Sequence, residues 1–250
     1  MELTVQMFLI VCPLVFLASF IDAIAGGGGL ISLPAYLFVG LPAHYAIGSN
    51  KLSSTIGTVA STWRYCKHKY YDLTTAVPSI VTAFIGSVIG ARLALMVEEE
   101  VLTRLLVVVL PIVAYFVLFK KKEEGEVVSP WSKKQLILLS MVISFVVGSY
   151  DGFYGPGTGT FLILLFTSVC KMDIKTASGN TKLINLTSNV AALMTFLING
   201  NVLLPLALAA SVFSVLGHYI GAGFVVKKGL AVVKPLILVV LALLMIKILL

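Results

Sequence analysis

Charged residues are scarce in this sequence. Only 12% of its 250 residues are Asp, Glu, Lys or Arg, while 59% are hydrophobic and the mean hydropathy is +1.04. Ordinary soluble domains carry about 25% charged residues, so a water-soluble globular protein is excluded. Long apolar runs lie at 5–21, 73–97, 105–119, 136–147, 202–226 and 236–250. Because a bilayer-spanning helix needs about 20 apolar residues, these runs predict an all-α polytopic membrane protein.

The sequence is also poor in side chains that carry redox, metal or nucleophilic chemistry. It has three cysteines and three histidines, which are Cys12, Cys66, Cys170, His44, His68 and His218. The cysteines form no C-x-x-C motif and the histidines lie in different segments, so neither set has the spacing of a thiol relay, a zinc site or a haem-ligating pair. We interpret the cysteines as small apolar helix residues and the histidines as loop or interface residues, and we expect no enzymatic activity, cofactor or metal.

The net charge of +7 does not indicate nucleic-acid binding. Lysines and arginines lie in short clusters between the apolar runs, as in the cytoplasmic loops of a multi-pass protein of a prokaryotic cytoplasmic membrane. The partners that we expect are therefore a lipid bilayer and a small solute.

Three motifs occur twice, in the same order. "DAIAGGGGLI" at 22–31 pairs with "DGFYGPGTGT" at 151–160, "AIGSNKL" at 46–52 with "ASGNTKL" at 177–183, and "GSVIGARL" at 86–93 with "GHYIGAGF" at 217–224. The offset is 129 to 131 residues each time. The sequence thus predicts a duplicated unit of about 120 residues, with copies at 1–119 and 135–250 and a hydrophilic linker at 120–134.

The four glycines at 26–29 follow an apolar run, an arrangement that also resembles a signal peptide before its cleavage site. No Lys or Arg precedes that run, although a signal peptide begins with a positive region, and the same motif recurs in mid-chain. We therefore interpret both glycine motifs as breaks within membrane helices, rather than as a cleavage site or a linker.

Each copy is predicted to be a broken, re-entrant helical hairpin followed by three transmembrane helices. The runs after the breaks, at 30–39 and 160–169, have about half of the spanning length, whereas the first run, at 5–21, is long enough that a full crossing stays open. The three helices follow at 45–67, 73–97 and 103–119, and again at 176–198, 202–226 and 230–250. Because each copy has an odd number of full membrane crossings, the second copy is inverted relative to the first. This topology places nearly all Lys and Arg residues on one side of the membrane. That side must be cytoplasmic, with the linker inside and both termini outside.

The two glycine motifs are candidate anion-binding segments. Non-helical backbone is tolerated at membrane depth only where it is buried in protein or lines a watery cavity. Each break is followed by a helix N-terminus, whose unpaired N–H groups and positive dipole end attract anions. The candidate binding residues in these motifs are Gly26, Gly27, Gly28, Gly29, Gly155, Gly157, Thr158 and Gly159.

The helix after each hairpin carries a polar stripe with a lysine. Lys51 and Lys182 occupy equivalent positions, and a lysine at membrane depth marks a functional site by default. The two lysines either converge on one anion or extend to the membrane interface. The stripes add further candidate binding residues, which are Asn50, Ser54, Thr181 and Asn185.

Asp22 and Asp151 adjoin the two breaks and have three interpretations. They cap the following helices, pair with the lysines, or titrate as proton-coupling groups.

Four further glycines indicate helix packing instead of binding, because they have the G-x-x-x-G spacing of close helix contacts. They are Gly86, Gly90, Gly217 and Gly221.

At these residues the sequence resembles the sulfite exporter TauE/SafE family of membrane permeases, also called DUF81 or TSUP. The matching segments are "DAIAGGGGLISLPA", "GSNKL", "YDGFYGPGTGTF" and the A-x-G-N-T-K-x-x-N run that ends at Asn185. The resemblance covers nearly the whole chain and implies transport of sulfite, or of sulfoacetate and other organosulfur anions, across the cytoplasmic membrane, commonly outward. The residues by themselves favour a secondary anion transporter with H+ as a candidate coupling ion. A passive anion channel and an uptake permease for a different small anion are the alternatives.

Overall fold

The computed structural model describes residues 3–105, 108 and 130–228. The predicted third helices, at 103–119 and 230–250, and the linker at 120–134 lie largely outside these residues. Regular structure in the described part is helical throughout. The helices with defined bounds are α1 (Val5–Ala25), α2 (Gly29–Phe38), α3 (Ala43–Lys67), α4 (Leu73–Met96), α5 (Lys133–Phe153), α6 (Thr158–Ser168), α7 (Ile174–Ile198) and α8 (Leu204–Lys228).

Five of these helices are long and apolar enough to cross a bilayer, namely α1, α4, α5, α7 and α8. The helix α3 has 25 residues, which is also a spanning length, but its polar stripe lowers its hydropathy. The all-helical membrane class that the composition predicts is confirmed.

Each glycine break separates a long helix from a short one. The long arms α1 and α5 have 21 residues each, about 30 Å of helix. The short arms α2 and α6 have 10 and 11 residues, about 15 Å. The first arm is longer than the apolar run at 5–21 because α1 continues to Ala25 and ends at Gly26, whose left-handed φ of 79° terminates it. Both first arms are therefore long enough to cross the hydrocarbon core.

The long helices pack closely through glycine. The helix α1 packs along α8, and α4 packs along α5. A Cβ on Gly90 would collide with the backbone of Ser149 in α5, and one on Gly221 would collide with the backbone of Phe20 in α1. The packing role that the G-x-x-x-G spacing predicts is confirmed.

Polar side chains lie inside the bundle and large apolar ones lie outside, the reverse of a soluble protein. The buried polar residues of α3 and α7 include Ser49, Thr58, Ser61, Asn180 and Asn189. The exposed apolar residues of α4 and α8 include Val77, Val81, Phe84, Leu208 and Val212. An apolar exterior suits lipid, and buried polar groups at membrane depth face one another or a watery cavity. A binding site is therefore expected in the polar interior between α3 and α7.

The start of α7, the helix that carries Lys182, is fixed by a side-chain cap. Asp173 accepts hydrogen bonds from the backbone N–H groups of Lys175 and Thr176 at 3.0 and 3.1 Å. Partial burial acts to raise the pKa of the Asp173 carboxyl, but hydrogen bonds from Thr176 and Lys175 outweigh it and lower that pKa below its ordinary value. The cap sets where α7 begins and so which turn carries Lys182.

Candidate functional site

The two glycine breaks are in direct contact. The backbone N–H of Thr160 donates to the carbonyl of Gly26 at 3.2 Å, and a Cβ on Gly29 would lie 2.8 Å from the Cα of Pro156. Gly26 and Gly157 have left-handed backbones, with φ of 79° and 83°. Glycine tolerates both the positive φ and the close approach. The starts of α2 and α6 are therefore brought close together.

Replacing Gly26 with alanine should destabilise the protein more than the same change at Gly40. Both glycines have a left-handed φ, 79° and 85°, which costs an alanine about 1–2 kcal/mol. A Cβ at Gly40 would meet no described atom within 4 Å, whereas one at Gly26 would lie 2.6 Å from the backbone N of Thr160. That contact adds about 1–3 kcal/mol of overpacking. Equilibrium unfolding of both purified variants measures the difference, and equal losses would contradict the contact between the breaks.

A small polar cavity lies where the breaks meet. Its volume is about 30 Å³, room for about two water molecules. Every binding, coupling or ion-pairing residue predicted from the sequence lines this cavity except Gly27, Thr181 and Lys182. Further lining residues, outside that predicted set, include Ser19, Ser32, Thr58, Asn189 and His218.

Lys51 of α3 forms a buried ion pair with Asp151 of α5. Its Nζ lies 2.9 Å from Asp151 Oδ2, and both side chains are 2% exposed. The same Nζ donates to Asn189 Oδ1 at 3.0 Å. Asp151 accepts two more hydrogen bonds, from the hydroxyl groups of Ser188 at 2.7 Å and Thr158 at 2.8 Å. The Asp151 carboxylate is therefore held by α3, α6 and α7 together, and its charge is compensated.

Lys182 of α7 forms a second buried ion pair, with Asp22 of α1. Its Nζ donates to Asp22 Oδ2 at 3.0 Å and to the backbone carbonyl of Asp22 at 2.6 Å. The N–H of Gly28 donates to Asp22 Oδ1 at 3.2 Å, so this carboxylate also reaches across the break to the start of α2. Lys182 does not itself line the cavity, whereas its partner Asp22 does.

The two ion pairs connect the chain crosswise. Each lysine binds an aspartate from the other half of the sequence, Lys51 with Asp151 and Lys182 with Asp22. Both lysine side chains are 2% exposed, so neither extends to the membrane interface. The four charges sum to zero, and Lys51 faces the cavity directly while Lys182 acts on it through Asp22. Such pairing matters because an uncompensated charge in a protein interior costs several kcal/mol.

His218 is a cavity residue that the sequence analysis placed wrongly, in a loop or at an interface. It lies within the spanning helix α8, is 2% exposed and lines the cavity. Its Nε2 is 4.0 Å from Asp22 Oδ2. The signal that identifies it is an ionisable side chain inside an apolar span, which the absence of metal-ligand spacing obscured. In the described part of the chain no cluster of three or more His, Cys, Asp or Glu side chains could hold a metal ion.

The other two histidines lie at the two ends of α3. His44 is in the first turn of α3, with Nδ1 2.8 Å from the carboxylate of Glu99, and His68 is exposed at the C-terminal end of the same helix. Neither lines the cavity.

A multi-pass helical membrane protein with a polar, charge-balanced cavity between two broken helices has the architecture of a membrane transporter. Residues 11–248 match the family described as Sulfite exporter TauE/SafE, and the chain belongs to this family of transporters, which are not enzymes. The resemblance of the glycine and lysine motifs is thereby confirmed.

Three bacterial relatives support the family assignment. The chain is 34% identical over 225 residues to the probable membrane transporter protein ORF9 of a Sinorhizobium species, covering 90% of this chain and 85% of that protein. It is 31% identical to a probable membrane transporter protein of Haemophilus influenzae, over 96% of this chain and 93% of that protein. It is 33% identical to the probable membrane transporter protein YfcA of Escherichia coli K12, over 93% and 86%. No solved structure matches the chain.

Proposed function

We propose that the protein is a secondary transporter that exports sulfite or small organosulfur anions such as sulfonates by alternating access. The anion class is supported by the site, where a buried lysine and two helix N-termini line one cavity. The sulfur class is supported by the description of the family as a sulfite exporter.

The observation that carries the proposal is Lys51, a buried lysine that faces the cavity. A Cβ at Gly155 would lie 3.1 Å from its Nζ, so no side chain separates the ammonium group from the second break. Because Lys51 is paired with Asp151, an entering anion competes with that carboxylate. Asp151 keeps hydrogen bonds from Thr158 and Ser188, which stabilise it when the ammonium group turns to the anion.

The starts of α2 and α6 supply a second attraction for an anion. Gly28, Gly29, Gly157 and Thr158 line the cavity at these two helix N-termini, where the helix dipole is positive. The N–H of Gly28 already donates to the Asp22 carboxylate, which supports a preference of this helix start for anionic groups. Glycine leaves the backbone accessible to a small ion.

Transport requires that the cavity widen. Sulfite has four heavy atoms, more than the cavity of about 30 Å³ accepts at the size of about two water molecules. The crosswise ion pairs join α1 to α7 and α3 to α5, so a rotation of one half against the other strains both pairs together. Rocking of two halves around a fixed site is the usual motion of transporters with paired broken helices.

The two halves, 1–119 and 135–250, form inverted copies in this proposal. The linker at 120–134 is cytoplasmic and both termini lie outside, in the cytoplasmic membrane of a prokaryote. The support is the distribution of positive charge, since the predicted linker segment carries Lys120, Lys121 and Lys122, with Lys133 and Lys134 at the start of α5, and short cytoplasmic loops carry an excess of Lys and Arg.

A thermal-shift screen followed by a flux assay tests this function. The purified protein is heated with sulfite, sulfate, thiosulfate, sulfoacetate, methanesulfonate or acetate, and we expect sulfite or a sulfonate to raise the melting temperature most. The best ligand should then show saturable, gradient-driven flux in proteoliposomes, and it should accumulate in inverted membrane vesicles. Flux without saturation would indicate a passive channel, stabilisation by acetate alone would exclude the sulfur class, and accumulation only in right-side-out vesicles would indicate uptake.

A further inference from the structure

The hydrogen bonding of His218 is incomplete. The imidazole is 2% exposed and lines the cavity, and its Nδ1 has no hydrogen-bond partner among the described residues. Its Nε2 faces Asp22 Oδ2 at 4.0 Å, beyond hydrogen-bond distance. A buried polar nitrogen without a partner costs free energy unless a group in the cavity binds it. The ring is therefore placed to interact with whatever enters the cavity.

The His218 ring lies against Gly57 of α3, a residue that has no side chain. A Cβ at Gly57 would lie 2.6 Å from Cδ2 of His218, so a larger residue there would displace the imidazole. The repeated motifs are offset by up to 131 residues, and at that offset Gly57 corresponds to Ser188 and His218 corresponds to Ser87. The Ser87 hydroxyl donates to the Ser188 carbonyl at 2.6 Å. If the chain is a duplication, as proposed, one of these two equivalent places holds a hydrogen bond between serines, and the other holds the titratable ring of His218 beside the cavity.

The charges around His218 cancel. His218 shares the cavity lining with Asp22 on α1, Lys51 on α3 and Asp151 on α5. Lys182 on α7 is paired with Asp22, and the Tyr65 hydroxyl on α3 donates to the carbonyl of Ala23, the residue after Asp22. Arg64 on α3 also faces α8, but it donates to the carbonyl of Tyr219 and lies over that ring at 4.5 Å. With two lysines and two aspartates in pairs, a monovalent anion in the cavity leaves one uncompensated negative charge. A proton on His218 would restore neutrality.

We propose that His218 takes up one proton for each monovalent anion that binds in the cavity. This inference rests on the proposed anion transport. The proton adds to the lone pair of the neutral imidazole, and no other covalent bond forms or breaks. The imidazolium then donates one N–H toward Asp22 and the other toward the anion. When the anion leaves the cavity, the imidazolium returns the proton to water.

Linkage makes this assignment measurable. If the bound anion favours protonation of His218, then protonation favours anion binding by the same factor. Methanesulfonate is a suitable probe because it is monovalent and does not titrate near neutral pH. In the unmodified protein we expect its affinity, from thermal-shift titration, to rise about tenfold between about pH 8 and about pH 5.5. We also expect its addition to a weakly buffered solution of the protein to cause uptake of about one proton per site, detected with an indicator dye.

In His218→Gln the pH dependence of methanesulfonate affinity and the proton uptake should both disappear. His218→Ser, which copies position 87, is a second variant with the same expectation, and His68→Gln is the matched control because His68 is exposed at the end of α3. Proton uptake by His218→Gln equal to that of the unmodified protein would overturn the assignment. A pH-independent affinity of the unmodified protein would also overturn it, whether or not the variants fold. If one of these two results is found but the anion flux is saturable, only the role of His218 is overturned and the transport proposal stands. If no tested anion shows saturable flux, the transport proposal and the role of His218 are both overturned.

Discussion

Replacing Lys51 with alanine is expected to abolish the anion-dependent stabilisation of the purified protein and its saturable anion flux. Lys51 is the one lysine that lines the cavity in the described part of the chain. A hydrogen bond from a charged group contributes about 1.5–3 kcal/mol, so its loss alone weakens binding about ten- to hundredfold. The alanine variant also leaves Asp151 buried without a counter-charge, and that carboxylate repels an anion.

A double variant separates loss of binding from loss of folding. Lys51→Met/Asp151→Asn removes both charges, so the interior stays neutral and the free energy of unfolding should stay close to that of the unmodified protein. Thermal shift and flux should nevertheless show no response to anions. Lys175→Ala is the control, because Lys175 is exposed at the start of α7 and its loss should leave the response in place. An intact anion response in the double variant would mean that the Lys51 ammonium group does not bind the anion.

Replacing Lys182 with methionine is expected to lower the free energy of unfolding by about 3–5 kcal/mol, the usual cost of removing one partner from a buried ion pair. The side chains of Lys182 and Asp22 are 2% and 14% exposed, so solvent compensates little of the lost charge. Methionine preserves most of the apolar part of the lysine side chain. The loss of stability is therefore caused by removal of the charge and not by a cavity. Equilibrium unfolding in detergent micelles measures the change.

Two comparisons test the origin of that loss. Lys182→Met/Asp22→Asn should recover most of the stability because no unpaired charge remains, and losses that simply add would contradict the coupling. Arg104→Met is the exposed counterpart, since both members of the Arg104–Glu100 pair are 75% exposed. Its effect should stay within about 1 kcal/mol.

The sequence predicts the class of protein and most of the cavity because both depend on local patterns. The length of an apolar run decides whether a helix spans a bilayer. A glycine run marks a break because its residues adopt conformations such as the positive φ of Gly26 and Gly157. The helical spacing of polar residues on α3 places Lys51, Ser54 and Thr58 on one face, and all three line the cavity.

The tertiary structure decided which groups meet. Lys182 binds Asp22 from 160 residues away, and Lys51 binds Asp151 from the other half of the chain, although the sequence equally allows each lysine to pair within its own half or to bind an anion directly. His218 gained its place in the same way, through contacts with Asp22 and Gly57. Composition and spacing determine helices and breaks because those follow from interactions between near neighbours in the chain. Ion pairing and desolvation depend on distance through space, which only the packed bundle fixes.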